Sequence, residues 1–436
     1  MEGTREALDI TCTRTRDADR KNPLLLERGR GATFVDVQGR SYVDFTSCTG
    51  AAPLGMGHPR IVEAVTRHLT AGGGVLPGTM SRVRVDLARR LLDLFPQSER
   101  VAFMRTGSCA TTAAVRLARV ATGKDVVLTS GYHGWHDWQL QYQGDTRQRA
   151  SDPRVHHFGY DADHLLALCR RFADDLAAVI SSPEHDVMPT EHLEQLIAIT
   201  HDFGAVAVLD EVMTGFRVGP GGLTARLDPT PDVTVLSKGL ANGSALSAVL
   251  LGPRVADAHE AGDLGNTYLR ETTPFVVALE TMDLLIEETE RLHRTTATLG
   301  SGLNDVFATA GYPACAVWDD GILHLVFAGD DLADDFYRTM LGRGLFLGTG
   351  GTVLPGAGVT EEHVDLAVRA ARGIAERAAG TGLTTPVDAR GDSSLRRPFA
   401  DFCTDSFHTT PAVADLWWTT KVAAQVTPAH EKGEAR

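Results

Sequence analysis

The sequence predicts an α/β protein whose large domain contains a mostly parallel sheet covered by helices, followed by a smaller α+β domain. Between about residues 100 and 250, short apolar runs alternate with helical segments, which is the pattern of repeated strand–helix–strand units. After about residue 300, short strand segments and a long helical segment follow without this alternation. The first pattern indicates the parallel sheet, and the second indicates the smaller domain.

Each predicted element has a local signal in the sequence. Residues 110–121 are rich in Ala, Leu and Arg, which favour a helix, and residues 191–200 place apolar side chains at helical spacing. Residues 30–45 alternate around Gln38-Gly39, as in a hairpin. The remaining predicted elements are a helix at 361–378 and strands at 125–130, 176–181, 205–209, 233–236, 323–327 and 344–347.

Composition and charge argue against several kinds of partner. The 436 residues are 43% hydrophobic and 22% charged, which is ordinary for a globular protein of two or three domains. The net charge of −14 argues against nucleic-acid binding, because phosphates require concentrated positive charge. No apolar run approaches a membrane span, and the N-terminus lacks the apolar core of a signal peptide. The Cys residues form no C-x-x-C, so we expect no disulfide framework or zinc site, and a cytoplasmic protein.

The strand predicted at 205–209 ends on two acids, Asp210 and Glu211. Acidic residues are poor strand formers, so their position requires an explanation. One interpretation is a solvated turn after a strand end. The other is a carboxylate directed into a site at the carboxyl edge of a parallel sheet, where ligands of α/β proteins bind.

Other side chains that could build such a site are distributed along the same region. Gly107-Ser108 precedes a helix, where small residues either cap the helix or let its N-terminus bind an anion. Tyr132 follows a strand and could stack on a flat ligand or cap the core, and Lys238 follows another strand as a site residue or a surface cation. Together with Asp210, this set suits pyridoxal phosphate: a phosphate-binding loop, a stacking ring, a partner for the pyridine nitrogen and a Schiff-base amine.

The chain resembles the class III aminotransferases, in the branch that contains glutamate-1-semialdehyde aminomutase. The strongest matching motif is "LDEVMTGFRV" followed by "PDVTVLSKGLANG", with further matches at "ATFVDVQGRSYVDF", "GHPRIVEAV", "TGSCATTAAVRLARVATG" and "GYHGW". The matches spread over most of the first 280 residues, and "GVTEEHVDLA" extends them to about residue 370. The tail beyond about residue 385 has no counterpart in the family.

This resemblance implies fold type I, with a seven-stranded type of sheet, and a homodimer with shared active sites. It implies an N-terminal segment at 1–70 packing with the small domain, a large cofactor-binding domain at 71–300 and a small domain at 301–380. The extension at 381–436 has no implied role. Because this extension is rich in Thr, Asp and Pro, we expect a long irregular tail or a partner-contacting segment.

The resemblance also implies roles for individual residues. Lys238 matches the Schiff-base lysine and Asp210 the partner of the pyridinium nitrogen. Val212 and Tyr132 match the residues that pack against the two ring faces. The implied phosphate ligands are Gly107, Ser108, Cys109 and, from the neighbouring subunit, Thr267, with Thr272 as its rival in the alignment.

Three departures from the family pattern lie close to the expected pocket. Cys109 stands where the family has Glu, Ser182 replaces the Glu of a Val-Glu-Pro motif with Glu184 two positions later, and "LANGSAL" replaces a Gly-rich run. These changes argue for a specialised substrate rather than tetrapyrrole synthesis.

Arg14 matches the region of the aminomutase's carboxylate-binding arginine, and it is either a substrate ligand or part of a solvated basic run.

His133 and His136 could suggest a metal pair, but their spacing suits a helix and Gly134 argues against a helix there, so we expect no metal.

The predicted activity is transfer of an amino group from an amino-acid donor to a ketone or aldehyde. The family resemblance implies glutamate or glutamine as this donor. An acceptor with a carboxylate, or a cyclic keto acid or keto sugar, fits Arg14 and the altered pocket. An aminomutase, an amino-acid epimerase or a decarboxylase is the alternative, since fold does not choose among them. A non-catalytic binding protein is the remote alternative, against which Lys238 and Asp210 argue.

Overall fold

The computed structural model describes residues 24–78, 80–139, 152–265, 267–348, 350–380 and 395–426. Among these residues, backbone hydrogen bonding defines strands β1 (Leu26–Arg30), β2 (Thr33–Asp36), β3 (Ser41–Asp44), β4 (Arg100–Met104), β5 (Val126–Ser130), β6 (Val155–His157), β7 (Leu176–Ser181), β8 (Val206–Asp210), β9 (Val233–Leu236), β10 (Ser247–Leu251), β11 (Ala314–Asp319), β12 (Ile322–Phe327), β13 (Leu345–Phe346) and β14 (Thr352–Val353).

The same residues form α1 (Pro59–Gly72), α2 (Arg82–Leu94), α3 (Gly107–Thr122), α4 (Ala162–Arg171), α5 (Thr190–Asp202), α6 (Thr273–Ala310), α7 (Asp330–Gly342), α8 (Glu361–Gly380), α9 (Arg396–Phe407), α10 (Pro411–Trp417) and α11 (Ala423–Val426), with a π-helical turn at Trp418–Val422. Within the described ranges, every helix is too short or too polar to span a membrane.

The chain divides into two compact units. Of the described residues, those within 24–58, 290–399 and 422–426 form unit 1, and those within 59–289 and 400–421 form unit 2. Each unit therefore contains segments that are distant from one another in the sequence. The four-segment division expected from the sequence, at 70, 300 and 380, stays a prediction.

Unit 2 contains a seven-stranded sheet in the order β4-β10-β9-β8-β7-β5-β6. Strand β10 runs antiparallel to β4 and β9, and the other pairs are parallel, which confirms the predicted mostly parallel sheet. Helix α3 packs its Ala-rich face on this sheet, so that short side chains allow a close approach to Val127, Ile180 and Val208. Because β5, β7, β8 and β9 are parallel, their carboxyl ends lie at one edge of the sheet.

Unit 1 contains two smaller sheets around an apolar core. The predicted hairpin is confirmed as β2 and β3, with Gly39 in the left-handed region at φ 80° and Asp36 accepting hydrogen bonds from the backbone N–H of Gln38 and Arg40. Strands β11, β12 and β14 form the second sheet. The core residues include Phe45, Leu299, Phe307, Phe336 and Ile374.

The expectation of an irregular tail is wrong for residues 396–426, which are largely helical. Helix α10 begins with Pro411 at its first turn, and the Thr410 hydroxyl caps it by accepting from the Val413 N–H at 3.3 Å. Trp417 and Trp418 are both buried. We call residues 400–421, which belong to unit 2, the C-terminal extension. In this extension Thr410 and Pro411 start a helix, and Thr419 and Thr420 lie in the π-helical turn.

One contact of the C-terminal extension makes stability depend on pH. The ring of His157, at the end of β6, lies 6.1 Å from the ring of His408, centroid to centroid. Burial, followed by the nearby His408, lowers the pKa of His157 from 6.5 to about 4. A group with a lowered folded-state pKa stabilises the fold above its unfolded pKa, and this contribution is lost as the pH falls towards the folded pKa.

We therefore expect unfolding to become easier as the pH falls from 6.5 to about 4, and this shift corresponds to about 3 kcal/mol of unfolding free energy from His157. Urea unfolding across this window measures the slope. His157→Phe should flatten the slope, whereas His259→Gln, at an exposed position on the short 3₁₀ helix Ala256–Glu260, should leave it unchanged. An equal slope in wild type and His157→Phe would contradict the assignment.

Candidate active site

The N-terminus of α3 forms the first part of the candidate site. Thr106 is the N-cap residue, and its hydroxyl accepts a hydrogen bond from the Cys109 N–H at 3.2 Å. The first helical residues are Gly107 and Ser108, and the helix has 16 residues. Both the free N–H groups of a first turn and the helix dipole favour an anion at this position.

Gly107 brings α3 into contact with the ends of two strands. A Cβ atom at Gly107 would lie 3.2 Å from both Cγ atoms of Val212 and 3.8 Å from the Cβ of Ser237. Val212 lies two residues after β8, and Ser237 follows β9 directly. The helix N-terminus, Val212 and the residue before Lys238 therefore meet at the carboxyl edge of the sheet.

Asp210 ends β8 as a buried carboxylate, 2% exposed. Its Oδ2 lies 2.8 Å from His133 Nδ1, and its Oδ1 accepts a hydrogen bond from the Val212 N–H at 3.1 Å. His133 is also buried, and within the part of the chain that the structure describes its Nε2 has no hydrogen-bond partner. This answers the question raised by the strand end: Asp210 is not in a solvated turn.

The loop after β5 is held against the start of α3. Ser108 Oγ accepts from the Trp135 N–H at 3.3 Å, and the Gln139 amide donates to the Ser108 carbonyl at 3.2 Å. Gly134 has φ 127°, and a Cβ there would lie 2.2 Å from Ser108 Oγ, so only glycine fits. The loop that carries Tyr132 and His133 is thereby fixed relative to the helix N-terminus.

Lys238 directly follows the strand-end residue Ser237 and begins a short 3₁₀ helix. Its φ of 33° lies in a region that residues other than glycine rarely adopt, and such conformations concentrate at functional sites. The Lys238 Nζ donates to Met213 Sδ at 3.7 Å. Because Met213 follows Val212 in the chain, the amine lies beside the loop after Asp210.

The remaining sequence-predicted residues have different environments. Tyr132 is 51% exposed, so it does not cap the core. Thr267 is exposed at the start of a short 3₁₀ helix, whereas the Thr272 hydroxyl is buried and binds the Gly74 carbonyl at 3.0 Å and His68 Nε2 at 2.7 Å. Arg14, the expected carboxylate ligand, lies outside the described residues.

Glu211, the second acid of the strand end, has a separate set of partners. Its carboxylate accepts from the backbone N–H groups of Leu223 and Thr224 at 2.6 and 2.8 Å, and from the Thr214 and Thr224 hydroxyls at 2.9 and 2.6 Å. Burial raises the pKa of Glu211, and these hydrogen bonds act in the opposite direction. Glu211 therefore ties the loop after β8 to residues 223–224, which agrees with a structural role.

Sequence reasoning missed His133 as the partner of Asp210. The motif "GYHGW" indicates Tyr132 as a site residue, and the sequence suggests for His133 only a metal pair with His136. His136 Nδ1 instead lies 2.8 Å from the Thr112 hydroxyl. The signal that could have identified His133 is its place one residue after Tyr132, at the end of a strand near β8.

The fold and this geometry define a class of protein. A helix N-terminus, a buried carboxylate–imidazole pair and a lysine on a left-handed backbone all lie in unit 2, on the loops after β4, β5, β8 and β9. These residues fit pyridoxal phosphate, whose phosphate, ring nitrogen and aldehyde require an anion site, a carboxylate and an amine. The arrangement is that of a pyridoxal-phosphate-dependent transferase of fold type I.

Comparison with known proteins identifies the family. The family model described as aminotransferase class-III matches residues 15–370, and the chain belongs to this family. It is 35% identical over 353 residues to a 2'-deamino-2'-hydroxyneamine transaminase from Streptomyces kanamyceticus, covering 80% of this chain and 90% of that protein. It is 29% identical over 399 residues to a glutamate-1-semialdehyde 2,1-aminomutase from Desulfitobacterium hafniense, covering 81% and 91%.

A solved transaminase structure with bound pyridoxal phosphate has the same fold. It superimposes with a TM-score of 0.78 at 23% sequence identity, over 88% of this chain and 99% of the other. At this identity the likeness shows the fold alone, and the family match shows the activity class. The protein is a pyridoxal-phosphate-dependent aminotransferase of class III, as the sequence motifs predicted.

Proposed function

We propose that the residues described above act in transamination with the roles that the sequence predicted for them. The observation that carries the proposal is the meeting of Gly107, Val212 and Ser237 at the sheet edge where Asp210 is buried. The α3 N-terminus, with Ser108 and Cys109, would bind the phosphate. Val212 and the exposed Tyr132 ring would pack on the two faces of the pyridine ring.

Pyridoxal phosphate, when bound, supplies an aldehyde that carries the amino group and a ring that accepts electrons. Asp210, held by His133, would keep a proton on the ring nitrogen, because an opposite charge nearby favours the charged form. The Lys238 amine would bind the aldehyde carbon and afterwards move a proton at the substrate carbon. Overall, the donor exchanges its amino group for the carbonyl oxygen of the acceptor, so no oxidant is needed.

We propose glutamate or glutamine as donor, and the ketone or aldehyde counterpart of a hydroxylated amine as acceptor. The Streptomyces kanamyceticus relative is, by its name, a transaminase of 2'-deamino-2'-hydroxyneamine, which is a hydroxylated amine. The net charge of −14 supports a cationic acceptor, since a negative protein attracts cations. A carboxylate-bearing acceptor bound by Arg14 is the competing proposal. The free cysteines of the described residues agree with a reducing, cytoplasmic location.

The experiment uses the holoenzyme with each donor separately. Bleaching of the cofactor's visible absorbance by glutamate or glutamine, together with re-formation of that amino acid from its own keto acid, 2-oxoglutarate or 2-oxoglutaramate, when neamine is the amine, would support the proposal. Conversion of glutamate-1-semialdehyde without an external donor would identify an aminomutase. Exchange of an α-hydrogen without amino transfer would identify an epimerase, and failure to take up cofactor would identify a binding protein. Each of these last three results contradicts the proposal.

We further propose a homodimer in which Thr267 binds the phosphate of the neighbouring subunit. Thr267 lies beside exposed apolar side chains: Tyr268 is 73% exposed, and Val75, which bridges to Glu271, is 63% exposed. Thr272 is the weaker candidate, because its hydroxyl already binds Gly74 and His68. A two-fold interface would cover this apolar surface and complete both sites.

Thr267→Ala should weaken cofactor binding by roughly tenfold or more, because a hydrogen bond to a charged group contributes about 1.5–3 kcal/mol. Thr298→Ala, an exposed helical threonine, serves as the control. If sites are shared, co-expression of Thr267→Ala with Lys238→Ala chains should create mixed dimers with one intact site. If Thr267 serves its own subunit, the mixture regains no site, and a fully active monomer by light scattering would also contradict the proposal.

A further inference from the structure

The C-terminal extension, residues 400–421, lies beyond the family match, which ends at residue 370, yet it belongs to the same compact unit as the sheet. Several of its apolar side chains are buried, including Phe407, Ala414 and Trp417. The Gly159 Cα also lies close to the extension, since a Cβ there would be 2.9 Å from the His408 carbonyl oxygen. The extension is therefore an integral layer of unit 2.

Trp417 contacts the segment after β6. Its ring lies 5.5 Å from that of Tyr160 and 6.3 Å from that of His192, centroid to centroid. His192 Nε2 in turn lies 2.7 Å from the Tyr160 carbonyl oxygen. Tyr160 is fully buried and has a left-handed backbone at φ 58°, so its position depends on these packed neighbours.

Tyr160 connects this packing to two segments at the carboxyl edge of the sheet. Its phenol oxygen lies 2.8 Å from the Ser182 carbonyl and 3.0 Å from Glu184 Oε1, and its single proton can be donated to either. A Cβ at Gly131 would lie 2.4 Å from the same phenol oxygen and 2.5 Å from the Ser182 Cβ. Gly131 directly precedes Tyr132 and His133. Tyr160 therefore touches both the segment after β7 and the loop that leads to the candidate cofactor residues.

A second contact links the extension directly to the segment after β7. The Lys421 ammonium donates to the carbonyl oxygens of His185 and Met188, the latter at 3.3 Å. Residues 182–188 leave β7, which lies between β5 and β8 in the sheet. This segment therefore emerges between the strand that leads to His133 and the strand that ends in Asp210.

We propose that the C-terminal extension is a positioning element of the active site. Through Trp417 and Tyr160 it fixes Gly131, and hence Tyr132 and His133, and through Lys421 it fixes residues 182–188. The departure at Ser182 and Glu184 from the family pattern fits this arrangement, because Glu184 is used as an acceptor for the Tyr160 phenol. The inference rests on the proposed cofactor roles of Tyr132 and His133.

The test compares Trp417→Ala and Trp417→Phe with Leu176→Ala. Leu176 is a fully buried residue at the opposite end of β7, so its truncation destabilises the same sheet away from the site. The readouts are the thermal midpoint of the apoenzyme, the dissociation constant for pyridoxal phosphate and the visible circular dichroism of the bound cofactor. The dichroism reports the orientation of the ring, which a loss of stability alone does not change.

Trp417→Ala should weaken cofactor binding by about tenfold and alter the dichroism, since a small misplacement of site residues is costly. Trp417→Phe, which keeps an aromatic ring against Tyr160, should restore both readouts. Leu176→Ala should lower the thermal midpoint and leave both readouts unchanged. If Trp417→Ala is too unstable to purify, Lys421→Met tests the second contact by the same readouts.

The proposal is overturned if Trp417→Ala binds the cofactor with wild-type affinity and shows wild-type dichroism. Lys421→Met is judged by the same criterion when it replaces Trp417→Ala. The extension would then have a structural role only. Tyr132→Ala separates this failure from that of the proposed site. If Tyr132→Ala weakens cofactor binding and the extension variants do not, only the positioning role is wrong. If Tyr132→Ala also binds normally, the proposed cofactor role of Tyr132, on which the inference rests, is wrong.

Discussion

Lys238→Ala should reduce turnover by roughly 10²–10⁴-fold or more, the contribution of a positioned proton-transfer group, with the covalent link to the cofactor lost as well. The left-handed backbone of Lys238 holds the amine beside the loop after Asp210, where its Nζ reaches Met213 Sδ. Borohydride reduction of the wild-type holoenzyme should attach the cofactor to the peptide that contains Lys238. The variant should show no attachment.

Lys124→Ala is the matched control for this experiment. Its ammonium binds the Ala173 carbonyl at 2.9 Å near the opposite end of β5, so its removal should affect neither turnover nor trapping. The prediction fails if Lys238→Ala turns over normally and still forms one reducible adduct at a single position.

Asp210→Asn should cause the second largest loss, because the amide cannot compensate a protonated ring nitrogen. A hydrogen bond to a charged group contributes about 1.5–3 kcal/mol, so cofactor affinity should fall by about tenfold to a hundredfold, and activity by more. Asp232→Asn is a matched control, because Asp232 has a largely buried side chain that immediately precedes β9, at the opposite edge of the sheet. Near-normal rates in Asp210→Asn would contradict the role of Asp210.

His133→Phe extends the test to the imidazole that lies 2.8 Å from Asp210. Removing this hydrogen-bond partner should leave the Asp210 carboxylate less firmly positioned without removing its negative charge. We expect the activity of His133→Phe to fall between wild type and Asp210→Asn. The double variant should lose little more than Asp210→Asn alone, since residues in one hydrogen-bond network are not additive. Additive losses, measured as kcat/KM, would show that His133 acts independently of Asp210.

The strands and helices near the site could be predicted because their signals are local. The apolar runs at 176–181 and 233–236 coincide with β7 and β9, and the Ala-rich segment at 110–121 lies within α3. The order of these elements is enough to place Asp210 and Lys238 at strand ends. Strand β10 was not predicted, although Ser247–Leu251 is a short apolar run, and its antiparallel pairing with β4 and β9 has no local signal in the sequence.

The contacts that could not be predicted join residues far apart in the chain. The His133–Asp210 pair spans 77 residues and depends on the relative register of β5, β7 and β8, which no local pattern encodes. The C-terminal extension was misjudged because its Thr and Pro residues suit loops and helix starts equally well. The neighbouring Trp417 and Trp418 were the available signal, since two large apolar side chains require a core to pack against.

The contact between Gly107 and Val212 has a consequence for laboratory evolution of this enzyme. Any side chain added at position 107 would press on Val212, whose methyl groups lie 3.2 Å from the added Cβ. The start of the helix and the wall of the ring pocket therefore cannot be altered one at a time. A mutant library that varies either position should vary both, so that a shorter residue at 212 can accompany alanine at 107 and open a new geometry to selection.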